Sequence, residues 1–185
     1  EQVRREKLAK YVELGIDPFG KAYKVTHHVS DIRAICGKKS QNALDKLNLV
    51  VSVAGRIKAI RRMGKASFIN IQDKTGNIQS YIGIDVVGKK AYDVFRLADI
   101  GDIVGVKGRV MMTRTGELTI RAEKYTHLTK CLHPLPEKFH GLTDVEERSR
   151  RRYLDLIMND EARKVAFARP AIIRSIKRFL DSPDL

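Results

Sequence analysis

Two runs of alternating residues between positions 63 and 82 constrain the fold of this chain more than any other feature. Both runs have the two-residue period of β-strands, and the turn residues 74–76 separate them. One face is apolar apart from a serine and carries Ile69, Ile71, Ile78, Ser80 and Ile82. The other face carries rings and amides, namely Phe68, Asn70, Gln72, Gln79 and Tyr81. Because rings stack on unpaired bases and amides pair with base edges, this second face indicates a surface for nucleic acid rather than a core.

Alternation continues on both sides of this hairpin and predicts five strands in all. The first occupies residues 50–60, where Gly55 is expected to mark a bend or bulge. A helix near residues 88–98 precedes strands at 103–112 and 117–122, and an extension of the last strand through residue 125 is left open. In that last strand the alternation directs Leu118 and Ile120 inward and Glu117, Thr119 and Arg121 outward. The order β-β-β-α-β-β is typical of the five-stranded Greek-key barrel known as the OB fold, although other small barrels share it.

Helical patterns flank the predicted barrel, so we expect a mainly β protein with helices at both ends. Upstream, helices are predicted at residues 3–14, 30–35 and 41–47, and Gly15 is the stop of the first. The apolar positions of the first helix are Val3, Leu8, Val12 and Leu14.

Downstream, Thr143 and Glu146 have the spacing of a capping box, which predicts a helix start, and Pro170 predicts a kink or restart in the last helix. The last segment carries an amphipathic stripe that has no complete core to pack on within this chain. The stripe therefore predicts contact with a partner domain or subunit. Its members are Val165, Ile172, Ile173, Ile176, Phe179 and Leu180.

The positive charge is concentrated on the predicted barrel. Residues 49–130 carry 15 basic and 7 acidic residues, a net charge of +8, out of +14 for the whole chain. Residues 1–48 contribute +4 and residues 131–185 contribute +2. This distribution favours a polyanionic partner at the barrel, and a merely solvated basic surface is the alternative.

Several other classes of protein find no support in the sequence. No apolar run approaches the roughly 20 residues of a membrane helix. The N-terminus lacks both a signal-peptide centre and an initiator Met, which predicts a fragment. Cys36 and Cys131 are isolated, and the five histidines show no ligand spacing, so no metal or cofactor is expected in this segment and a reducing cytoplasm is the simplest setting. Lys65 follows a glycine but has no Gly-rich phosphate loop around it.

Six segments in this order resemble the N-terminal region of the class II lysyl-tRNA synthetases of bacterial type, across nearly the whole chain. The segments are Arg4-Arg5-Glu6-Lys7-Leu8, Val53-Ala54-Gly55-Arg56, Met63-Gly64-Lys65-Ala66-Ser67-Phe68, Thr115-Gly116-Glu117-Leu118, Leu135-Pro136-Glu137-Lys138-Phe139-His140-Gly141-Leu142 and Arg152-Tyr153-Leu154-Asp155-Leu156-Ile157. The resemblance implies a helical extension at residues 1–48, an anticodon-binding OB domain at 49–130, a linker at 131–145 and the truncated start of a catalytic domain at 146–185.

The resemblance also implies an activity and partners for the complete enzyme. That enzyme would activate lysine with ATP and Mg²⁺ and attach it to the tRNA for lysine, as a homodimer whose dimerisation motif includes the last helix. The catalytic sheet and the lysine pocket of the family have no counterpart in residues 1–185, so this chain alone should not catalyse aminoacylation. Whether Pro183 is the proline that closes the family's dimerisation motif is left open.

Site residues follow from the same resemblance. Phe68 matches the aromatic that stacks on an anticodon base, Gln79 the amide that reads the central uridine, and Glu117 an acidic contact to the first anticodon base. Arg56 and Arg61 match basic residues near the anticodon. Arg4 and Arg5 are expected to attract the tRNA backbone.

Two alternatives from other classes stay open at this level. One is a nonenzymatic OB-fold module that binds single-stranded nucleic acid without regard to sequence. The other is a structural or dimerisation module whose basic charge is incidental. Affinity that follows salt and length but ignores the anticodon would favour the first, and a dimer without RNA affinity would favour the second.

Overall fold

A computed structural model describes residues 1–20, 22–136 and 144–182. The chain divides into two compact units, Glu1–Pro134 and Leu135–Leu185. The first unit contains the predicted barrel with its upstream helices, and the second contains the downstream helices. Each unit is described by itself.

The first unit is built on a closed five-stranded barrel with the strand order β1-β2-β3-β5-β4, which confirms the predicted OB fold. All neighbouring strands are antiparallel except β3 and β5, which are parallel. The last strand extends well beyond residue 125. The strands are β1 Val50–Met63, β2 Ala66–Gln72, β3 Asn77–Gly83, β4 Ile103–Met112 and β5 Leu118–Thr129.

The long strand β1 closes the barrel because its two halves pair with different neighbours. Its first half pairs with β4 and its second half with β2, and Arg56 takes part in both ladders. The register shifts between Ile57 and Ala59, so the bulge lies three residues beyond the bend predicted at Gly55. A side chain at Gly55 would bring its Cβ within 2.5 Å of the carbonyl oxygen of Gln72, so the glycine permits close approach of the two strands.

The barrel core is aliphatic, and its residues alternate along the strands as predicted. The strand residues with no exposed surface include Val51, Val53, Ile57, Ile71, Ile78, Ile82 and Ile120. Phe95 completes this core from a helix. Burial of these apolar side chains is the main force that holds the barrel closed.

Three helices precede the barrel: α1 Gln2–Glu13, α2 Val29–Cys36 and α3 Gln41–Leu47. The apolar positions of α1 contribute little to its packing, because Val3 is 62% exposed and Val12 is 58% exposed. Helix α1 packs instead through Tyr11, which is fully buried, and through Arg4 and Lys7, which bind partners about one hundred residues later in the chain.

Between β3 and β4 the chain forms two short helices, α4 Ile84–Val87 and α5 Lys89–Arg96, where the sequence predicts one. Gly88 separates them with a φ of +84°, a conformation that favours glycine. Helix α5 buries Tyr92 and Phe95 and thereby covers one end of the barrel.

The second unit contains α6 Val145–Arg150, α7 Arg152–Met158 and α8 Asp160–Leu180. A helix begins at the predicted place, and Asp144 caps it by accepting a hydrogen bond from the backbone N–H of Glu146. Thr143 and Pro183 lie outside the described residues. The buried Asp155 accepts hydrogen bonds from Arg148 and Arg152 and joins α6 to α7.

Helix α8 continues through Pro170 without the predicted restart. The proline removes one backbone donor from the helix but does not end it. The predicted apolar stripe of α8 is exposed along its whole length within this unit. That stripe therefore remains available to a partner.

Candidate nucleic-acid interface

The outward residues of β2 and β3 form a surface, here called the platform face, that consists of Phe68, Asn70, Gln79 and Tyr81. Phe68 lies directly opposite Tyr81, and Asn70 lies directly opposite Gln79. All four side chains are partly exposed, whereas the isoleucines between them are buried. The alternation of faces predicted from the sequence is present in the structure, except that Gln72, predicted on the face with rings and amides, is buried.

The two rings of the platform face support each other. Their centroids are 5.3 Å apart and their planes are inclined by 61°, an edge-to-face arrangement. Tyr81 therefore fixes the orientation of Phe68 and leaves part of that ring exposed. A partly exposed ring in a fixed orientation is a surface on which an unpaired base can stack.

Gln79 is held in one orientation by its neighbour on β5. Its Nε2 donates to the Thr119 hydroxyl at 2.9 Å, and that hydroxyl donates to the carbonyl of Glu117 at 3.1 Å. This chain of hydrogen bonds leaves the side-chain carbonyl oxygen of Gln79 as an acceptor for a ligand. Thr119, predicted to point outward, lies on the outward face but is fully buried because of these contacts.

Glu117 lies at the end of the turn between β4 and β5. Thr113 holds this turn closed, since its N–H donates to the carbonyl of Glu117 and its hydroxyl accepts from the Glu117 N–H. The Glu117 side chain is exposed. It precedes Thr119 by two residues, a rise of about 6.6 Å along a strand, which places it near Gln79.

The two predicted arginines of β1 lie in different surroundings. Arg61 is exposed and directly opposite Phe68, so it belongs beside the platform face. Arg56 is partly buried and donates to the carbonyl of Gly101 at 2.8 Å. The structure thus brings Arg61 to the rings and ties Arg56 to the loop before β4.

Arg4 and Arg5 both lie on α1. Arg4 donates to the carbonyls of Cys131 at 2.7 Å and Ile100 at 3.0 Å, so it holds the same loop that Arg56 holds. Arg5 is exposed and pairs with Glu1. Neither residue lies on the strands that carry the platform face or pair with them.

A buried ionic cluster lies where α1 meets the loop before β4. Lys130 and Asp102 have fully buried side chains whose charged atoms are 2.8 Å apart. Lys130 also forms an ion pair with Asp99, and Asp99 forms a second ion pair with Lys7. Only the folded chain brings residues 7, 99, 102 and 130 together, so no local pattern could reveal them. We interpret the cluster as an anchor for α1 and the loop before β4.

Asp73 anchors the turn of the β2–β3 hairpin to α2. Its carboxylate accepts hydrogen bonds from the backbone N–H groups of Val29, Thr75 and Gly76 and from the Thr75 hydroxyl. Burial raises the pKa of Asp73, but these donated hydrogen bonds outweigh burial and hold the pKa below its ordinary value. Asp73 thereby orients the hairpin that carries the platform face.

We expect Asp73 to make the protein lose stability in acid. A carboxyl group whose pKa is lowered by folding stabilises the folded state above its unfolded pKa of about 3.9, and the contribution disappears as the pH falls through the folded pKa. The Asp73→Asn variant should therefore be less stable than the parent at pH 7, and the difference should shrink as the pH falls below about 4. Urea titrations across this pH range measure it. The control is Glu13→Gln, which alters an exposed carboxylate, and a difference for Asp73→Asn that does not change with pH would contradict the expectation.

Among the residues that the structure describes, no helix combines the length and the apolar character of a membrane span. The same residues contain no group of three or more His, Cys, Asp or Glu side chains that could hold a metal ion.

Comparison with known proteins gives results that agree with this geometry. Residues 51–128 match the tRNA anti-codon family, described as an OB-fold nucleic acid binding domain. Lysine–tRNA ligases of Bacillus thuringiensis (strain Al Hakam), Bacillus cereus (strain AH820) and Bacillus anthracis are each 48% identical to this chain over 179 residues. The matches cover 97% of this chain, which spans 36% of the length of these curated relatives.

Proposed function

The domain at residues 51–128 belongs to the tRNA anti-codon family of OB-fold nucleic acid binding domains, and from that membership we propose that this chain recognises the anticodon of the tRNA for lysine. The observation that carries the proposal is the platform face. There an exposed ring, held by Tyr81, lies on the strand next to an amide whose free oxygen is fixed by Thr119. Stacking and one oriented acceptor are what recognition of a splayed base requires.

Each residue of the site receives a role in this proposal. Phe68 stacks on an anticodon base, Gln79 accepts a hydrogen bond from the N3–H of the central uridine, and Glu117 contacts the first anticodon base. Arg61 and Arg5 are exposed and can approach phosphates. Arg56 and Arg4 contribute positive charge while they hold the loop before β4 through its carbonyls.

We assign the ligation chemistry to the complete protein rather than to this chain. The relatives are named lysine–tRNA ligases, and this chain spans about a third of their length. In the proposal the complete protein attaches lysine to tRNA with ATP and Mg²⁺, as a homodimer that covers the exposed stripe of α8. The proposed division is a helical extension at residues 1–48, the anticodon domain at 49–130, a linker at 131–145 and the start of the catalytic domain at 146–185. Residues 1–185 alone should form no lysyl-tRNA in an aminoacylation assay.

A binding measurement tests the proposed recognition. The chain is titrated with an RNA stem-loop that carries the lysine anticodon and with the same stem-loop whose central uridine is changed to cytidine. We expect tighter binding of the first, because uridine N3–H donates to the Gln79 oxygen whereas cytidine N3 can only accept. Equal affinities would contradict the proposal and would instead indicate a binder that ignores sequence.

The variant Gln79→Ala should lose this discrimination but keep the binding that its phosphate contacts provide. One net hydrogen bond is worth about 1 kcal/mol, or about fivefold in affinity, and the phosphate contacts remain. Fluorescence anisotropy with both stem-loops measures the change. Gln2→Ala, which removes an exposed amide on α1, is the control. If both RNAs weaken by the same factor in Gln79→Ala, Gln79 does not read this base.

A further inference from the structure

Two arginines continue the row of outward residues that begins at the rings. Tyr81 lies directly opposite Arg121 on β5, and Arg121 lies directly opposite Arg109 on β4. Since neighbouring strands are about 4.8 Å apart, the row from Phe68 to Arg109 spans about 14 Å. The sequence places Arg121 on the outward face of its strand, but only the parallel pairing of β3 and β5 places it beside Tyr81.

The same two arginines line a cleft of about 220 Å³ between α3 and the β4–β5 ladder, here called the α3 cleft. Its lining residues are Gln41, Leu44, Asp45, Asn48, Arg109, Val110, Met111 and Arg121. Gln41 is fixed at its edge, because its Oε1 accepts from the backbone N–H of Met112 and its Nε2 donates to Asp45. The cleft therefore has one preorganised wall and two cationic side chains.

The two arginines of this cleft differ in their ion pairing. Like charges directly opposite each other on neighbouring strands are destabilising. Arg109 has an exposed partner in Glu123, at 3.0 Å, whereas Arg121 is exposed and forms no ion pair within the described part of the chain. Asp45 also lines the cleft, but its carboxylate accepts from the neutral Gln41 amide and forms no ion pair with either arginine in the described part of the chain. An anion between the two guanidinium groups would relieve their repulsion.

We propose that Arg121 and Arg109 hold a backbone phosphate of the RNA at the mouth of the α3 cleft, so that the bound strand continues past the platform face across β5 and β4. The inference rests on the proposed function, because the strand enters the row at Phe68 and Tyr81. Its chemistry is that of a phosphodiester: arginine presents a planar fork of donors that matches phosphate oxygens. The contact adds affinity without reading sequence.

The test compares Arg121→Gln with the parent chain in binding to the stem-loop with the lysine anticodon at several salt concentrations. We expect about tenfold weaker binding, equal for the uridine and cytidine stem-loops, since a charged hydrogen bond is worth about 1.5 kcal/mol or more. The slope of log K against log salt should fall by about 0.7 to 0.9, the amount for one phosphate contact. Arg121→Lys should bind with intermediate affinity, because it keeps the charge but loses the fork.

A matched control lies on the same two strands. Lys124 on β5 lies directly opposite Lys107 on β4, so these residues form a second outward basic pair that does not line the α3 cleft. Lys124→Gln removes the same charge and should change the affinity and salt slope less than Arg121→Gln does. Equal effects of the two variants would overturn the inference, because Arg121 would then attract the RNA only through its positive charge and not through a specific phosphate contact.

The outcomes separate the two proposals. If the parent chain prefers the uridine stem-loop and Arg121→Gln leaves affinity and salt slope unchanged, the phosphate site is wrong while anticodon recognition stands. If the parent chain binds neither stem-loop, the proposed function itself fails. Arg121 is exposed, so an unchanged unfolding temperature of its variants will show that the fold is intact.

Discussion

The Phe68→Ala variant is expected to bind the stem-loop with the lysine anticodon about 5- to 150-fold more weakly than the parent chain. Stacking of one base on an aromatic ring contributes about 1–3 kcal/mol, which corresponds to this change in affinity. The effect is large because the Phe68 ring is already oriented by Tyr81, with 5.3 Å between the ring centroids. The ring therefore loses little freedom when a base stacks on it.

Two further variants show whether the ring itself is responsible. Phe68→Leu keeps an apolar side chain but removes the π-face, so it should lose most of the affinity that Phe68→Ala loses. Phe19→Ala removes a ring that is 58% exposed in the turn after α1, outside the platform face, and should leave the affinity unchanged. Unchanged affinity in Phe68→Ala, or an equal loss in Phe19→Ala, would remove Phe68 from the site.

Local sequence patterns predicted the platform face because a strand needs only its own alternation to divide its residues between two faces. This alternation predicts that Phe68 and Gln79 point outward, and both are outward in the structure. The closed strand order was predictable from the succession of elements. The roles of individual residues toward RNA remain predictions, since they came from a resemblance.

The features that sequence analysis missed depend on contacts between distant parts of the chain. Helix α1 presents Arg4, Lys7 and Tyr11 to the barrel, and a search for apolar residues could not select that face because two of these residues are charged. Their partners are carbonyls and carboxylates near residues 94–102 and 131. Alternation likewise predicts that Arg121 points outward, but it cannot predict that Tyr81 lies beside it, because the parallel pairing of β3 with β5 joins strands that are not consecutive.

The missed ionic cluster gives the largest expected effect on stability. Lys130→Met should lower the free energy of unfolding by about 3–5 kcal/mol, because it leaves a buried carboxylate without its cation. Asp102 would keep the hydrogen bonds from the backbone N–H groups of Asp99 and Cys131 but would have no ammonium group beside it. Asp99 would keep Lys7. The deficit therefore falls on Asp102, whose side chain has no exposed surface.

A denaturant titration monitored by tyrosine fluorescence measures this loss. The signal reports mainly on the first unit, because the chain has no tryptophan and five of its six tyrosines lie in residues 1–134. Glu123→Gln breaks the exposed pair with Arg109 and should cost less than about 1 kcal/mol.

The double variant Lys130→Met with Asp102→Asn removes both charges and should recover part of the loss, because a neutral amide is far less costly to bury than an unpaired carboxylate. A loss in Lys130→Met no larger than that in Glu123→Gln would show that the buried pair does not anchor α1 and the loop before β4. A double variant with the full additive loss would show that the unpaired charge is not the cause.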